Sequence, residues 1–281
     1  MVTDYRPPTT DHRLPNTENG SLLMAWYIYL AVLAAGFGAG FINTLAGSGS
    51  LITLPLLIFM GIPATVANGT NRVGVLFQNI VSTSSFQRQK VLDLRGGLIL
   101  SAPAIIGSII GAQIAVDLDE ARMEQAIGVL MIVMLIVILL RPKRWLQGEL
   151  EKMGKRPSIF QLLIFFFIGM YGGFLQAGVG IFLLAGLVLG IGYDLVRANA
   201  VKVLIILAFT ISALIVFMLN DQVNWGVGLI LAVGNSLGAW AAARMAVERG
   251  ANFVRWLLIA VVAVSALNLL GFFTWIGQLF N

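Results

Sequence analysis

Ten apolar runs separated by short polar connections occupy most of this chain. Eight of them approach or reach the roughly 20 residues that a helix needs to cross a bilayer. Only 11% of the residues are charged, whereas soluble domains contain about 25%. We therefore expect an all-α integral membrane protein with no separate soluble domain. The runs are 22–46, 51–60, 64–86, 96–116, 123–140, 159–177, 181–189, 195–219, 225–243 and 253–275.

Two of these runs, 51–60 and 181–189, are too short to cross a membrane as single helices. Ten residues rise about 15 Å, which is half of the roughly 30 Å hydrocarbon layer. Each run follows a glycine-rich break, Gly47-Ser48-Gly49-Ser50 in the first half of the chain and Gly178-Val179-Gly180 in the second. The pattern predicts a half-length helix, broken or re-entrant, in each half.

The two halves also share a weak internal repeat. Each contains five hydrophobic runs, and landmark residues recur in the same order. The repeat predicts a polar tail over 1–21, a first membrane repeat over 22–140, a basic linker over 141–157 and a second membrane repeat over 158–281. The matching pairs are Gly40 with Gly173, Gly61 with Gly192, Asn68 with Asn199, and Gly107 with Gly234.

The basic residues predict how the chain is oriented, because cytoplasmic connections are enriched in Lys and Arg. Three connections are basic, whereas 117–120, 220–224 and the residues after 275 contain neither Lys nor Arg. Tracing the chain through these points places both termini on the outer face and makes the second repeat inverted relative to the first. Whether the short runs cross the membrane or return to the same side stays open. The basic residues of these three connections are Arg88, Lys90, Arg95, Arg141, Lys143, Arg144, Lys152, Lys155, Arg156, Arg244, Arg249 and Arg255.

Inverted repeats with broken helices at matching positions are typical of secondary transporters that bind substrate near the midplane. Arg72 and Lys202 are the two ionisable residues well inside apolar runs, where charge is costly and commonly functional. They occupy nearly equivalent repeat positions, so we expect them to converge on one anion site together with the helix N-termini at the breaks. The alternative is that each side chain reaches the lipid headgroups.

Small and polar residues beside the breaks and the two cations complete the predicted substrate site. Ser48, Ser50, Thr70 and Gln176 could donate hydrogen bonds to a substrate, although bonding between helices is the commoner use of such groups. The glycine pairs Gly36/Gly40 and Gly107/Gly111 are instead expected to pack helices closely. The predicted substrate-binding residues are Gly47, Ser48, Gly49, Ser50, Asn68, Thr70, Asn71, Arg72, Gln176, Gly178, Gly180, Asn199 and Lys202.

Other classes of function lack the residues they need. The chain has no cysteine and a single histidine, His12, in the polar tail, and all of its carboxylates lie in the tail, connections or segment ends. We expect no catalytic residues, no metal, no cofactor and no cation pathway. Nucleic-acid binding is not expected, because the basic residues lie between apolar runs. A membrane enzyme or assembly subunit remains a weaker alternative.

Two sequence blocks resemble the sulfite exporter TauE/SafE family. They are GFGAGFINTLAGSGSLITLPLL from Gly36 to Leu57 and GIPATVANGTN from Gly61 to Asn71; the resemblance extends over about 24–270. The family's Gly-Gly-Gly break reads Gly-Ser-Gly-Ser here. The resemblance implies a multi-pass permease of the bacterial inner membrane that exports a small sulfur-containing anion such as sulfite or an organosulfonate. A permease or channel-like protein for another small anion or a neutral solute is the alternative, and the small-residue faces are compatible with a homodimer.

Overall fold

The structure is a computed structural model that describes residues 21–139 and 157–269, and within these ranges it contains helices and no β-strand. The prediction of an all-α protein is confirmed for these residues. Most of the predicted tail and linker lies outside them. The helices are α1 (Ser21–Ala46), α2 (Ser50–Phe59), α3 (Ala64–Arg88), α4 (Leu94–Val116), α5 (Glu120–Leu139), α6 (Ile159–Phe174), α7 (Val179–Ala185), α8 (Leu195–Leu219) and α9 (Trp225–Leu269). A π-helical segment, Gly186–Ile191, continues α7.

Four helical stretches are long and apolar enough to cross a membrane: Tyr29–Ala46, Leu94–Val116, Leu195–Leu219 and Trp225–Gly250. Large apolar side chains point away from the protein, including Phe59 with 88% of its surface exposed and Leu219 with 79%. Lipid rather than water is the solvent that such a surface requires. The chain is therefore a membrane protein.

Helix α3 differs from these four because it is polar yet lies inside the bundle. It packs against α8 and α9, and more than half of its residues are buried, including Asn68, Arg72 and Gln78. Neighbouring helices offer hydrogen-bond partners that lipid cannot provide. Helix α8 is equally buried, so α3 and α8 form the centre of the protein.

Hydrogen bonds at helix N-termini explain where several helices begin. Asp194 accepts bonds from the amides of Val196 and Arg197 at the start of α8, as an N-cap residue does. Helix α3 has Pro63 at this position, which has no side-chain acceptor. Glu120 of α5 replaces it by accepting bonds from the amides at the start of α3 and from the Thr65 hydroxyl at 3.0 Å. This contact joins α5 to α3.

Glycines allow α1 to pack against α9, and α4 against α6, with their backbones in direct contact. A Cβ on Gly40 would lie 2.1 Å from the carbonyl oxygen of Asn235, and one on Gly111 would lie 1.8 Å from that of Met170. Any larger residue would force the helices apart. The predicted packing role of Gly36/Gly40 and Gly107/Gly111 is therefore confirmed.

The last two predicted runs, 225–243 and 253–275, correspond to two helices that meet at a sharp kink within α9. The kink lies at Gly250, whose φ of 72° and ψ of −172° are not helical, and residues 270–275 lie outside the described part of the chain. The first of these helices extends beyond the predicted run as far as the kink, and Arg244 pairs there with Glu248 on the helix surface at 2.6 Å. The second half-length run is also longer than predicted and covers Val179–Ile191.

Candidate substrate site

The two predicted glycine breaks meet in the interior. Gly47 and Gly178 adopt the left-handed backbone conformation, with φ of +78° and +72°, which favours glycine. A Cβ on Gly47 would lie 2.4 Å from the Cα of Gly180, and one on Gly180 would lie 2.3 Å from the Cα of Gly47. Only glycine at both positions allows the end of α1 and the start of α7 to touch.

Lys202 on α8 binds the C-terminal end of α1. Its Nζ donates to the carbonyl oxygens of Asn43 at 3.0 Å and Thr44 at 2.7 Å, and to the Oδ1 of Asn199 at 2.7 Å. The last carbonyls of a helix lack intrahelical donors and form the negative end of its dipole. An ammonium group placed there stabilises the buried end of α1 beside the first break.

Arg72 on α3 makes the corresponding contact with the end of α6. Its Nη1 donates to the carbonyl oxygen of Gly172 at 3.0 Å, and its Nη2 donates to that of Gly173. The guanidinium also lies over the ring of Phe217, with its central carbon 4.5 Å from the ring centroid. The Nε of Arg72 is buried without a hydrogen-bond partner, so one donor of this arginine remains unused.

Both cations are completely buried, with no exposed surface on Arg72 or Lys202. The alternative in which these side chains reach the lipid headgroups is therefore wrong for this structure. Each cation lies beside a helix break and contributes to its stability. Because Asn68 donates to the carbonyl oxygen of Phe174 at 2.8 Å, the end of α6 receives bonds from two residues of α3.

Several of the other predicted polar residues link neighbouring helices next to the breaks. Asn71 donates to the Ser50 hydroxyl at 3.1 Å and accepts from Thr53 at 2.6 Å, which ties α3 to the start of α2. Gln176 donates to Thr210 of α8 at 2.8 Å. Gly49 lies against the carbonyl oxygen of Ala39. Ser48 is 6% exposed.

Thr70 lies farther from the breaks. Its hydroxyl accepts a bond from the amide of Asn224, at the start of α9, at 2.8 Å. This contact links α3 to the connection between α8 and α9. We therefore assign Thr70 an interhelical contact, while the remaining predicted residues cluster at or next to the two breaks.

Side chains of the predicted site, those of Asn199, Asn68 and Gln176, accept bonds from the two cations, but the main-chain acceptors were not part of the predicted site. They are main-chain oxygens of residues 43–44 and 172–173, and a sequence carries no mark for a carbonyl that a distant side chain will bind. The position of these carbonyls just before a predicted helix break is the one available signal. Within residues 21–139 and 157–269, no group of three His, Asp or Glu residues could hold a metal ion.

Comparisons with known proteins agree with the membrane fold. A model of the family described as "Sulfite exporter TauE/SafE" matches residues 32–269. The "Probable membrane transporter protein YfcA" of Escherichia coli strain K12 is 30% identical over 89% of this chain and 90% of its own length. The "Probable membrane transporter protein ORF9" of a Sinorhizobium species is 29% identical over 88% and 94%. No solved structure matches. The chain therefore belongs to the sulfite exporter TauE/SafE family of membrane transporters.

Proposed function

We propose that the protein is a secondary transporter that exports a small sulfur-containing oxyanion, such as sulfite or an organosulfonate, across the bacterial inner membrane. The observation that carries the proposal is the pair of fully buried cations, Arg72 and Lys202, at the ends of two helices whose breaks touch. The substrate binds beside this pair, near the middle of the bilayer, between two inverted repeats.

The contacts of the glycines support the repeat. Every close glycine contact between α1 and α9 has a counterpart between α6 and α4. Adding 133 to a residue number in α1 gives the related residue in α6, and adding 127 to a residue number in α4 gives the related residue in α9. The paired contacts are Gly36 to Leu231 with Gly169 to Ala104, Gly40 to Asn235 with Gly173 to Ser108, Gly234 to Leu33 with Gly107 to Phe166, and Gly238 to Phe37 with Gly111 to Met170.

The same exchange supports a twofold relation between the halves. In these paired glycine contacts, each residue of the first half that contacts the second half has a counterpart in the second half that contacts the first, as a twofold axis requires. The two cations follow this rule, because Lys202 binds the end of α1 and Arg72 binds the end of α6. With the basic connections on the cytoplasmic side, the axis lies in the membrane plane and both termini lie outside.

The charge at the centre favours an anion. Arg72 and Lys202 bring two positive charges, whereas each helix C-terminus they bind offers about half an elementary charge of the opposite sign. Among the residues described, none of the buried polar side chains is Asp or Glu. A net positive potential therefore remains at low dielectric, where the N-terminus of α2 adds to it. Ser48, Ser50 and the unused Nε of Arg72 are donors beside it.

The buried state of the centre also defines what transport requires. Asn71, Asn199 and both cations have no exposed surface, so an anion reaches them only after the helices move. Rocking of one repeat against the other would open the centre to each side in turn. An interior-negative potential of about 100 mV drives each negative charge outward with about 2.3 kcal/mol, which favours export without a coupling ion.

Flux of labelled sulfite and a small panel of sulfonates through proteoliposomes tests this proposal. We compare wild type with Lys202→Gln and with the charge-conserving Lys202→Arg. We expect Lys202→Gln to lose anion flux and Lys202→Arg to retain part of it, because the positive charge at the centre is kept. Potential-dependent efflux in wild type would support electrogenic export.

Folding is monitored in the same preparations, because removing Lys202 also removes the ammonium donor from the carbonyl oxygens of Asn43 and Thr44. Gly38→Ala is a matched control, since a Cβ at Gly38 meets no atom within 4 Å. Wild-type vesicles that move a neutral solute but none of the anions would contradict the proposal and favour a neutral-solute permease. Undiminished anion flux in correctly folded Lys202→Gln would remove the buried pair from the site.

A further inference from the structure

A cavity of about 480 Å³ opens between the C-terminal part of α3 and the middle of α9. Its lining combines apolar residues with hydroxyl, amide and charged groups, including Ser84, Arg88, Trp240 and Arg244. Water occupies about 30 Å³ per molecule in the liquid, so a small hydrated anion fits easily. The cavity lies at the end of the bundle that carries the basic connections, which the distribution of Lys and Arg assigns to the cytoplasm.

The charged groups around the cavity are unequal in number. Arg88 and Arg244 face a single carboxylate, Glu248, which accepts from Arg244 Nε at 2.6 Å. Arg244 also lies over the ring of Trp240, with 6.0 Å between the guanidinium carbon and the ring centroid. The lining therefore keeps a net positive charge, and Arg88 is the guanidinium that Glu248 does not bind in this cavity. Such a surface attracts small anions from solution.

A polar stripe on α3 connects this cavity with the two cations. Gln78, Asn79, Ser82 and Thr83 lie on α3 between the centre and Arg88. Gln78 accepts from the side chain of Asn43 at 3.2 Å, the residue whose carbonyl binds Lys202. From Gln78 to Arg88 the helix rises about 15 Å.

Several groups of this stripe have no partner. Gln78 Nε2, Asn79 Oδ1 and Thr83 Oγ1 are buried without hydrogen bonds. Unpaired buried polar atoms are costly and uncommon in folded proteins. Water or a passing anion would satisfy Gln78 Nε2 and the hydroxyl of Thr83 as donors. The stripe thus has the polar lining that a path for a hydrated ion needs.

The related positions at the opposite end of the protein carry different residues. The pairing of Asn68 with Asn199 relates α3 to α8, so Gln78, Thr83 and Arg88 correspond to Phe209, Leu214 and Leu219. The pairing of Gly107 with Gly234 relates α4 to α9, so Arg244 corresponds to Asp117. The sequence thus replaces polar and basic residues by apolar and acidic ones at the related positions. The two membrane faces therefore differ at these related positions, and the basic pair Arg88 and Arg244 lies on one of them.

We propose that the cavity between α3 and α9 is the cytoplasmic vestibule of the transporter, where the exported oxyanion first binds, and that the polar stripe of α3 leads it to the buried cations. This inference rests on the proposed function. It assigns the capture of substrate to Arg88 and Arg244 and its transfer to Gln78 and Thr83.

A cysteine placed in the cavity tests the vestibule without any transport. The natural chain contains no cysteine, so Ser84→Cys supplies a single reactive thiol and the exposed Gln87→Cys, on the same helix but outside the cavity lining, is its matched control. Both are reacted with an anionic and a cationic methanethiosulfonate reagent in nanodiscs of phosphatidylcholine. We expect the ratio of anionic to cationic reaction rates to be higher at Ser84→Cys than at Gln87→Cys.

Substitutions of the charged lining should move this ratio in opposite directions. A unit charge about 7 Å away in water changes each rate about 2.7-fold, and therefore the ratio of the two rates roughly sevenfold. In the Ser84→Cys background, Arg88→Gln should lower the ratio by this factor and Glu248→Gln should raise it, whereas Arg95→Gln, outside the cavity lining, should change it little. If neither Arg88→Gln nor Glu248→Gln changes the ratio of anionic to cationic reaction rates, the proposed vestibule is wrong.

A lipid headgroup carries the same anionic chemistry and is the competing occupant. If it fills the cavity, phosphatidylglycerol in the nanodiscs will block the reaction of Ser84→Cys with both reagents, which would overturn the proposal. In proteoliposomes, we expect Arg88→Gln to raise KM for the transported anion about threefold with kcat unchanged. If wild type transports none of the anions, the proposed substrate is wrong. The ratio of reaction rates at Ser84→Cys still tests whether the cavity attracts anions.

Discussion

Replacing Gly180 by alanine would separate the two helix breaks. The added Cβ would lie 2.3 Å from the Cα of Gly47, whereas carbon atoms in contact are about 3.5–4.0 Å apart. The break of α1 and the start of α7 would therefore have to move apart by roughly 1.5 Å. Inserting a methyl group into a tightly packed interior costs about 1–3 kcal/mol. We expect Gly180→Ala to lower stability by this amount and to impair anion flux.

Gly186→Ala in the same helical segment is the matched control. Its Cβ would lie 3.5 Å from the ring of Phe165, an ordinary contact, and alanine stabilises a helix by about 0.5–1 kcal/mol relative to glycine. The two variants should therefore differ by about 1.5–4 kcal/mol. In detergent this corresponds to apparent melting temperatures at least about 3 °C apart.

If Gly180→Ala has the same apparent melting temperature as Gly186→Ala and keeps wild-type anion flux, the two breaks do not touch in the working protein. The proposed centre would then lose the contact that holds its two halves together.

Three further predictions concern stability. Lys202→Met should cost about 3 kcal/mol or more, because it leaves buried acceptors unpaired, while Lys202→Arg should recover part of this; equal melting temperatures for both would contradict the assigned contacts. Glu120→Ala should cost about 1 kcal/mol through the lost cap on α3, whereas the exposed Glu124→Ala should cost almost nothing in the same melting assay. Burial and the hydrogen bond to Asp93 raise the pKa of Tyr193, so the folded state keeps this proton longer than the unfolded chain, and stability should fall as the pH rises above about 10. Tyr193→Phe should flatten that part of a pH–melting profile, and an unchanged slope would count against the pair.

The fold was largely predictable where hydrophobicity decides the structure. The run 195–219 coincides with α8 because Asp194 caps its start and a polar connection follows Leu219. The position of the break between the last two helices was not predictable in the same way. Polar residues interrupt the hydrophobic pattern from residue 244 onward, but Arg244 and Glu248 still pair on a helix surface, and the helix breaks only at Gly250.

The sequence predicted the burial of the two cations but only part of their contacts. Burial is costly for Arg72 and Lys202, and that cost identified them in the sequence. Besides side-chain oxygens such as that of Asn199, they bind main-chain oxygens, which every residue possesses, so no residue type could reveal those acceptors. The contact between Gly47 and Gly180 was hidden for a similar reason, since glycine indicates close approach without naming its partner.

The packing of α1 against α9 sets the order in which the protein can be completed during synthesis. Gly40 and Asn235 touch although 195 positions separate them, and ribosomes add about 5–20 residues per second. Helix α1 is thus made roughly 10–40 s before its partner exists. During this interval its glycine face has no permanent neighbour, so the nascent first half depends on lipid or on the insertion machinery to shield it. A ribosome that stalls before α9 would leave a membrane fragment that quality-control proteases can recognise.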